Sequence, residues 1–483
     1  MKLLFDFTLV ATVLALGLTA CATNPVTGSP NFVTMTEQQE ISMGRQYDVE
    51  VRKQYHVYES PDLQKYVNEV GQKLARNSHR PNLAYHFTLL DSTQVNAFAL
   101  PGGYIYITRG LVEYLNSEAE LGAVLGHEIG HVTSRHSVQQ ISAATAANIV
   151  AQVSSVFLPV MRTPAGSNLT NLLGNALLSG YGREHELEAD HLGAVYLGRS
   201  GYDPQAMVKV LTVLKNQELF DAEIAKQQGR EPNAYHGLFA THPDNDTRLK
   251  KVINEAQDIS RPDGAENREA FLQHINGMTF GDSPDQGIIR KGKFYHSGLG
   301  LVMQFPDGWL IRNYADHVQA QSPTNDAGIE LRLGNKAEGS PEDYLRSKQW
   351  FNFGEKIEPL TINGLPAATT ETTTLGKPAK ITVIYLNNKA ILVVGSATSR
   401  EAFYRYHENI NAATLSFRAI TQAERGSTRP LTIKIITAKP GMTYAELART
   451  SPLGKNAESY LRLINAQYPS GEPLQGQELK IVE

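Results

Sequence analysis

The stretch Asn116-Ser117-Glu118-Ala119-Glu120-Leu121-Gly122-Ala123-Val124-Leu125-Gly126-His127-Glu128-Ile129-Gly130-His131 sets the reading of the whole chain. Ser117 with Glu120 three residues later has the pattern of a capping box, which predicts a helix starting here. On that helix His127 and His131 stand one turn apart on one face, where both imidazoles can reach a single ion. Glu128 lies about 100° round from His127, beside such an ion rather than bound to it. A carboxylate there can take a proton from an activated water and return it to a leaving amine. Gly126 and Gly130 cost the helix roughly 0.5–1 kcal/mol each against Ala. Glycine makes sense at those positions if another element must approach the helix closely.

His-Glu-x-x-His is the pattern of helical zinc peptidase sites. A catalytic zinc takes three protein ligands and keeps a further position open. The third ligand is sought in Arg183-Glu184-His185-Glu186-Leu187-Glu188-Ala189-Asp190-His191-Leu192-Gly193-Ala194-Val195-Tyr196-Leu197, a helical pattern that ends at Gly201, a natural stop. Glu186 and Asp190 share a face, so Glu186 can bind the metal while Asp190 accepts a hydrogen bond from a ligand histidine. Spacing leaves Glu184, Glu188, His185 and His191 as competitors, and an acidic surface helix would read the same way.

Taken together, His127 to His131 and Glu186-x-x-x-Asp190 resemble the gluzincin peptidases related to the CAAX prenyl proteases and the HtpX membrane proteases. The similarity is greatest to their soluble periplasmic lipoprotein members. The resemblance covers about Asn24 to Ala256. It implies one zinc ion per chain held by His127, His131 and Glu186, with Glu128 as catalytic base and Asp190 as supporting or proton-donating aspartate. Asn96-Ala97-Phe98-Ala99-Leu100-Pro101-Gly102-Gly103 resembles the family's edge strand above the site, able to pair with an extended substrate backbone. Alternatively, it is a plain turn before the strand Tyr104 to Thr108. Thr241-His242-Pro243 followed by Arg248 also resembles a family motif, in which His242 caps the zinc or serves the oxyanion. Thr241 as an N-cap with Pro243 in the first turn accounts for the same residues without a catalytic role. The substrates implied are misfolded or stalled proteins of the bacterial envelope.

The 483 residues suggest two to four domains at roughly 100–200 residues each. The 45 Lys and Arg against 49 Asp and Glu leave a net charge of −4, which gives no general reason to bind nucleic acid. Leu9 to Ala20 is apolar but shorter than the ~20 residues of a membrane span, which favours a cleaved export signal over residues 1–20. Leu18-Thr19-Ala20-Cys21 resembles a bacterial lipobox, with Cys21 as lipid attachment site and residues 21–36 as tether. With Ala22 rather than Asp after it, the expected location is the periplasmic face of the outer membrane. Cys21 is the single cysteine, so internal disulfides and multi-thiolate metal sites are excluded.

The expected fold is α+β and multidomain. A mainly helical zincin domain with a small edge sheet spans 37–285, an α+β domain 286–424, and a small LysM-like domain 425–483. The opening Gly298 to Trp309 of the second domain resembles PsbP-like domains. In the tail, Asn456 and Tyr460 are candidate glycan contacts, with peptidoglycan the possible partner. A module that only packs reads equally well there. The rival to the peptidase reading is a periplasmic chaperone or peptidoglycan-binding scaffold with a latent peptidase. A zinc hydrolase acting on amidated glycans or small peptides is a further alternative.

Overall fold

The computed structural model describes residues 21–33, 35–143, 181–227, 248, 251–252, 263–314, 316–336, 339–348, 356–374 and 376–483. Contacts divide the chain into two compact units, each discontinuous in sequence. One takes Met1–Glu218, Ala234–Asn276 and Ile435–Ile481; the other takes Leu219–Asn233, Gly277–Lys434 and Val482–Glu483. The architecture is α+β, and no helix among the described residues is long and apolar enough to cross a membrane.

The first unit opens with β1 (Cys21–Thr23) antiparallel to β2 (Pro30–Phe32). Helix α1 (Glu37–Gln54) starts with a reciprocal capping box between Thr36 and Gln39. Helix α2 (Pro61–Arg76) begins with proline, whose missing N–H is no loss in the first turn. It buries Leu63, Tyr66, Val67, Val70 and Leu74, a stripe at three- and four-residue spacing. Strands β3 (His86–Leu90), β4 (Ala97–Leu100) and β5 (Tyr104–Thr108) form a sheet in the order β3-β5-β4. β5 runs parallel to β3 and antiparallel to β4, and every residue of β5 is buried. β4 is therefore an edge strand of this sheet.

A short helix α3 (Arg109–Val112) leads to α4 (Glu118–Thr133), the helix of the His-Glu-x-x-His motif. Ser117 caps it by accepting from the Glu120 N–H at 3.2 Å. The box does not close reciprocally: the Glu120 carboxylate turns one residue further back and accepts from the Asn116 N–H at 2.7 Å. Every residue from Ala119 to Thr133 is buried, so α4 is the central helix of the unit. Helix α5 (Arg183–Arg199) packs across it and ends where Gly201 takes φ +80°, a conformation that suits glycine. Helix α6 (Gln205–Gln227), whose residues from Leu219 on belong to the second unit, and α7 (Arg268–Ile275) follow.

The crossing of α4 and α5 runs over glycines. A Cβ on Gly126 would lie 3.3 Å from the Gly193 Cα, and one on Gly130 would lie 3.0 Å from both the Cα and the carbonyl oxygen of Ala189. A Cβ on Gly193 would meet the His127 backbone nitrogen at 3.0 Å. The two backbones approach this closely because α4 carries no side chain at either contact, and α5 has glycine at one and alanine at the other.

In the second unit, seven antiparallel strands form one sheet. Their spatial order is Leu310–Asn313, His317–Gln321, Ala327–Lys336, Lys389–Ala397, Lys377–Leu386, Leu365–Thr374 and Glu358–Ile362. Alternation along Lys377–Leu386 sends Ile384 and Leu386 to one face and Ile381 and Val383 to the other. The helix Arg400–Leu415 covers the first face through Phe403, Ile410 and Ala413, while Tyr344 and Leu345 cover the second. Asn363 and Gly364 both take positive φ in the tight hairpin turn between the last two strands.

The tail of the chain returns to the first unit. Lys480 is fully buried and its Nζ donates to the carbonyls of Glu113 at 2.8 Å and Leu115 at 2.7 Å. Arg268 of α7 donates to the carbonyls of Asn116 and Glu478, and the hydroxyls of Tyr114 and Tyr460 lie 3.0 Å apart. The loop that launches α4 is thus held by residues more than three hundred positions downstream.

Candidate metal centre

His127, His131 and Glu186 converge. Each offers one ligand atom, and the three atoms lie within 4.8 Å of one another in a buried pocket of side chains. The Nε2 atoms of the two imidazoles are 3.0 Å apart. Glu186 reaches them from α5, with Oε2 3.6 Å from His127 Nε2 and Oε1 3.4 Å from His131 Nε2. The i, i+4 spacing on α4 supplies both imidazoles, and the glycine crossing brings the third donor near enough to share their target.

The other ring nitrogens are committed elsewhere. His127 Nδ1 faces Asp190 Oδ1 at 2.8 Å, and His131 Nδ1 faces His136 Nδ1 at 2.9 Å. The Nε2 atoms are therefore the ones turned to the shared point. Burial holds the His131 imidazole well below the ordinary histidine range, with Glu186 pulling the other way, so its neutral, ligating form is favoured.

Arg248 completes the electrostatics. Its guanidinium makes a fork to Asp190, at 2.8 Å to Oδ2 and 2.7 Å to Oδ1, and its Nη1 lies 3.1 Å from Glu186 Oε2. Burial alone would raise the Asp190 pKa, but Arg248 and then His127 hold it below the usual carboxylate value. Glu128 is fully buried on α4, near enough to Tyr181 and Arg248 for its charge to raise the pKa of each. Ionised, the fully buried Glu128, Glu186 and Asp190 against one guanidinium leave two negative charges. A divalent cation neutralises that excess, and two imidazoles with a carboxylate are a donor set suited to zinc.

The competitors for the third ligand go elsewhere. Glu184 and His191 are exposed. Glu188 turns to Ser134 at 2.8 Å and His136 at 3.3 Å, and His185 stacks on His136 with ring centroids 4.2 Å apart. On the edge strand, Ala97 is buried while Phe98 is half-buried and stacks on Tyr106 at 4.8 Å. Asn96 lies just before the strand, its carbonyl accepting from the Thr108 N–H at 3.0 Å, and β4 packs along α4. His242 lies outside the described residues. The sequence marks Arg135-His136 only as a segment after the ligand helix that covers the site, and it gives no role to Tyr181, whose ring stacks on His131 at 3.9 Å. It marks Arg248 only as part of a motif. An arginine's destination across 58 residues has no local signal.

Residues 61–256 match the profile of peptidase family M48. This segment is a peptidase family M48 domain. The chain is 31% identical over 255 residues to the β-barrel assembly-enhancing protease of Escherichia coli (strain K12), covering 52% of this chain and 50% of that protein. The counterpart in Yersinia pestis is 31% identical over 241 residues, covering 49% and 47%. The mitochondrial metalloendopeptidase OMA1 of Schizosaccharomyces pombe is 27% identical over 196 residues, covering 40% and 53%. The chain thus spans about half the length of these curated relatives. Among solved structures, cyanobacterial PsbP from Synechocystis aligns over 26% of this chain and 91% of its own at 14% identity. Its TM-score of 0.23 assigns no fold. The M48 domain holds all the converging residues described above.

Proposed function

We propose that the chain is a zinc endopeptidase of the bacterial envelope that cleaves misfolded or stalled periplasmic and outer-membrane proteins. The observation that carries this is the convergence of His127 Nε2, His131 Nε2 and the Glu186 carboxylate on one buried point. Zinc bound there would polarise the scissile carbonyl and lower the pKa of water. Glu128, next to the ligand pair, takes a proton from the attacking water and delivers it to the nitrogen of the departing amine. Asp190, clamped by Arg248, keeps the proton of His127 on Nδ1 and its Nε2 lone pair available. The edge strand with Asn96, Ala97 and Phe98 offers backbone groups to an extended substrate. His242 is assigned to cap the zinc or stabilise the oxyanion.

Export over residues 1–20 and lipidation at Cys21 would place the enzyme in the periplasm on outer-membrane lipid. A LysM-like role for residues 425–483 would add peptidoglycan as a partner. The engagement of the Tyr460 hydroxyl with Tyr114 takes part of one candidate glycan contact out of solution.

The test is Glu128→Gln in a zinc-replete assay on an unfolded protein substrate. A loss of about 10²–10⁴-fold in kcat is expected for a general base. Activity that survives the change would leave the scaffold reading, with the chain binding envelope proteins or peptidoglycan without cutting. Zinc stoichiometry of Glu186→Ala checks the third ligand; an unchanged value would remove Glu186 from the metal.

A further inference from the structure

The two central imidazoles are held from behind in different ways. His127 leans directly on a carboxylate, Asp190. His131 leans on a second imidazole: its Nδ1 lies 2.9 Å from His136 Nδ1. His136 Nε2 in turn lies 3.3 Å from Glu188 Oε2, and Glu188 Oε1 accepts from Ser134 Oγ at 2.8 Å. His136 is completely buried, with His185 stacked on its ring, while Tyr181 stacks on His131 and bonds Ser137 at 2.7 Å.

The protons in this chain of contacts are fixed by its far end. An ionised carboxylate only accepts, so the nitrogen of His136 facing Glu188 carries the hydrogen. His136 Nδ1 is then an acceptor, which requires the hydrogen of His131 on Nδ1. A His131 protonated on Nδ1 presents a lone pair at Nε2, the atom turned toward His127 and Glu186. The reverse order would put a hydrogen on His131 Nε2 and close it to a cation.

The backbone is bent to make this contact. After α4 ends, Arg135 takes φ 59°, a left-handed conformation that is strained for a non-glycine residue. It returns the chain so that His136 lies behind His131. Buried Glu40 holds Arg135 in place at 3.0 Å, and the Met35 carbonyl accepts from the same guanidinium at 3.0 Å.

We infer that His136 and Glu188 are positioning residues for the metal centre, fixing the tautomer and ring plane of His131, and that Glu188 ends this relay rather than binding the ion. The inference rests on the zinc reading given above. It is tested by zinc affinity, measured by competition with a chromophoric chelator, and by kcat and KM at limiting and saturating zinc. His136→Ala and Glu188→Ala should each weaken zinc binding by about 10–100-fold. His136→Asn, whose amide oxygen can stand where Nδ1 stands, should recover most of the first loss. Glu188→Gln should recover most of the second. Glu188→Ala should add nothing in the His136→Ala background, because the relay is already cut. Saturating zinc should restore most of kcat in both variants.

Wild-type zinc affinity in His136→Ala would overturn the inference, as would losses that multiply in the double variant. If His136→Ala does not fold, the comparison of Glu188→Ala with Glu188→Gln decides: equal zinc affinity in the two overturns the relay. A different outcome marks failure of the zinc reading itself: a wild type that binds no zinc, or His131→Ala that binds as much as wild type.

Discussion

Gly122, Gly126 and Gly130 recur at four-residue intervals on α4, and the structure separates their roles. Replacing any of them with alanine gains about 1 kcal/mol of helix propensity. At Gly122 the new methyl would meet the tip of the Leu197 side chain at 3.1 Å, with its other neighbours at 3.7 Å, and a leucine can turn away. Gly122→Ala should therefore be neutral or stabilising by up to about 1 kcal/mol. At Gly130 the methyl meets backbone, the Ala189 Cα and carbonyl oxygen both at 3.0 Å, with the Leu192 Cβ at 3.3 Å. None of these can rotate aside, so α5 must shift by some tenths of an ångström. Overpacking of this kind costs about 1–3 kcal/mol, which leaves Gly130→Ala destabilised by roughly 0–2 kcal/mol after the propensity gain. The larger effect should fall on the metal centre, because Ala189 sits between Glu188 and Asp190 and three residues from Glu186. Denaturant unfolding with and without zinc, together with chelator competition, should rank zinc affinity as Gly122→Ala, then Gly126→Ala, then Gly130→Ala. A Gly130→Ala protein more stable than wild type and equal to it in zinc affinity would refute the close-crossing argument.

Other consequences can be measured independently. Removing zinc with a chelator leaves two uncompensated negative charges in a buried site, so the unfolding midpoint should fall and depend on zinc concentration; zinc at a thousandfold excess over its Kd should restore about 4 kcal/mol. Glu40→Ala removes the buried carboxylate shared by Arg80 and Arg135, leaving Arg80 to Glu37 and the Val132 carbonyl and Arg135 to the Met35 carbonyl, and should cost about 1.5–3 kcal/mol in calorimetric stability. Lys480→Ala leaves the Glu113 and Leu115 carbonyls without their donor and should lower stability by about 2–4 kcal/mol, with zinc release tracking the same transition. In the second unit, Arg418 holds the Glu424 carboxyl down at about 2, so its stabilising contribution is complete above pH 4.5 and disappears as pH falls toward 2. Glu424→Gln should flatten that part of an acid titration, by less than about 1 kcal/mol since the pair is partly solvated.

What the sequence discloses about this site depends on distance along the chain. The His127–Glu128–His131 cluster is legible because three residues on one helix have their mutual geometry set by the helix itself. The meaning of Gly126 and Gly130 is half legible: a cost in helix propensity signals a close neighbour but does not identify Gly193 and Ala189 as that neighbour. Glu186 stands out from Glu184 and Glu188 only once α5 is set at its crossing angle, since all three have similar local surroundings in sequence. Ser117 illustrates the limit of local pattern. The helix begins where the pattern predicts, yet Glu120 bonds Asn116 instead of closing the box, drawn back in a loop that Lys480 and Arg268 also hold. No periodicity or spacing could have announced a lysine near the end of the chain as a partner of residues 113 and 115.

The same division governs how the centre is built. Its reactive side chains come from short-range patterns, while what aims them comes from remote positions: Arg248 on Asp190, Glu40 on Arg135, Lys480 on the loop before α4. Each of these remote contacts ends a polar group in a buried place, charged at Asp190 and Arg135, where losing one partner is far more costly than at the surface. The supports of such a centre are individually expensive to remove. A change at Glu40 should therefore lower zinc affinity without touching a ligand, through Arg135 and the turn that carries His136. If Glu40→Ala lowered stability while leaving zinc affinity at the wild-type value, that turn would owe its shape to the local chain, and the remote support would be a matter of stability alone.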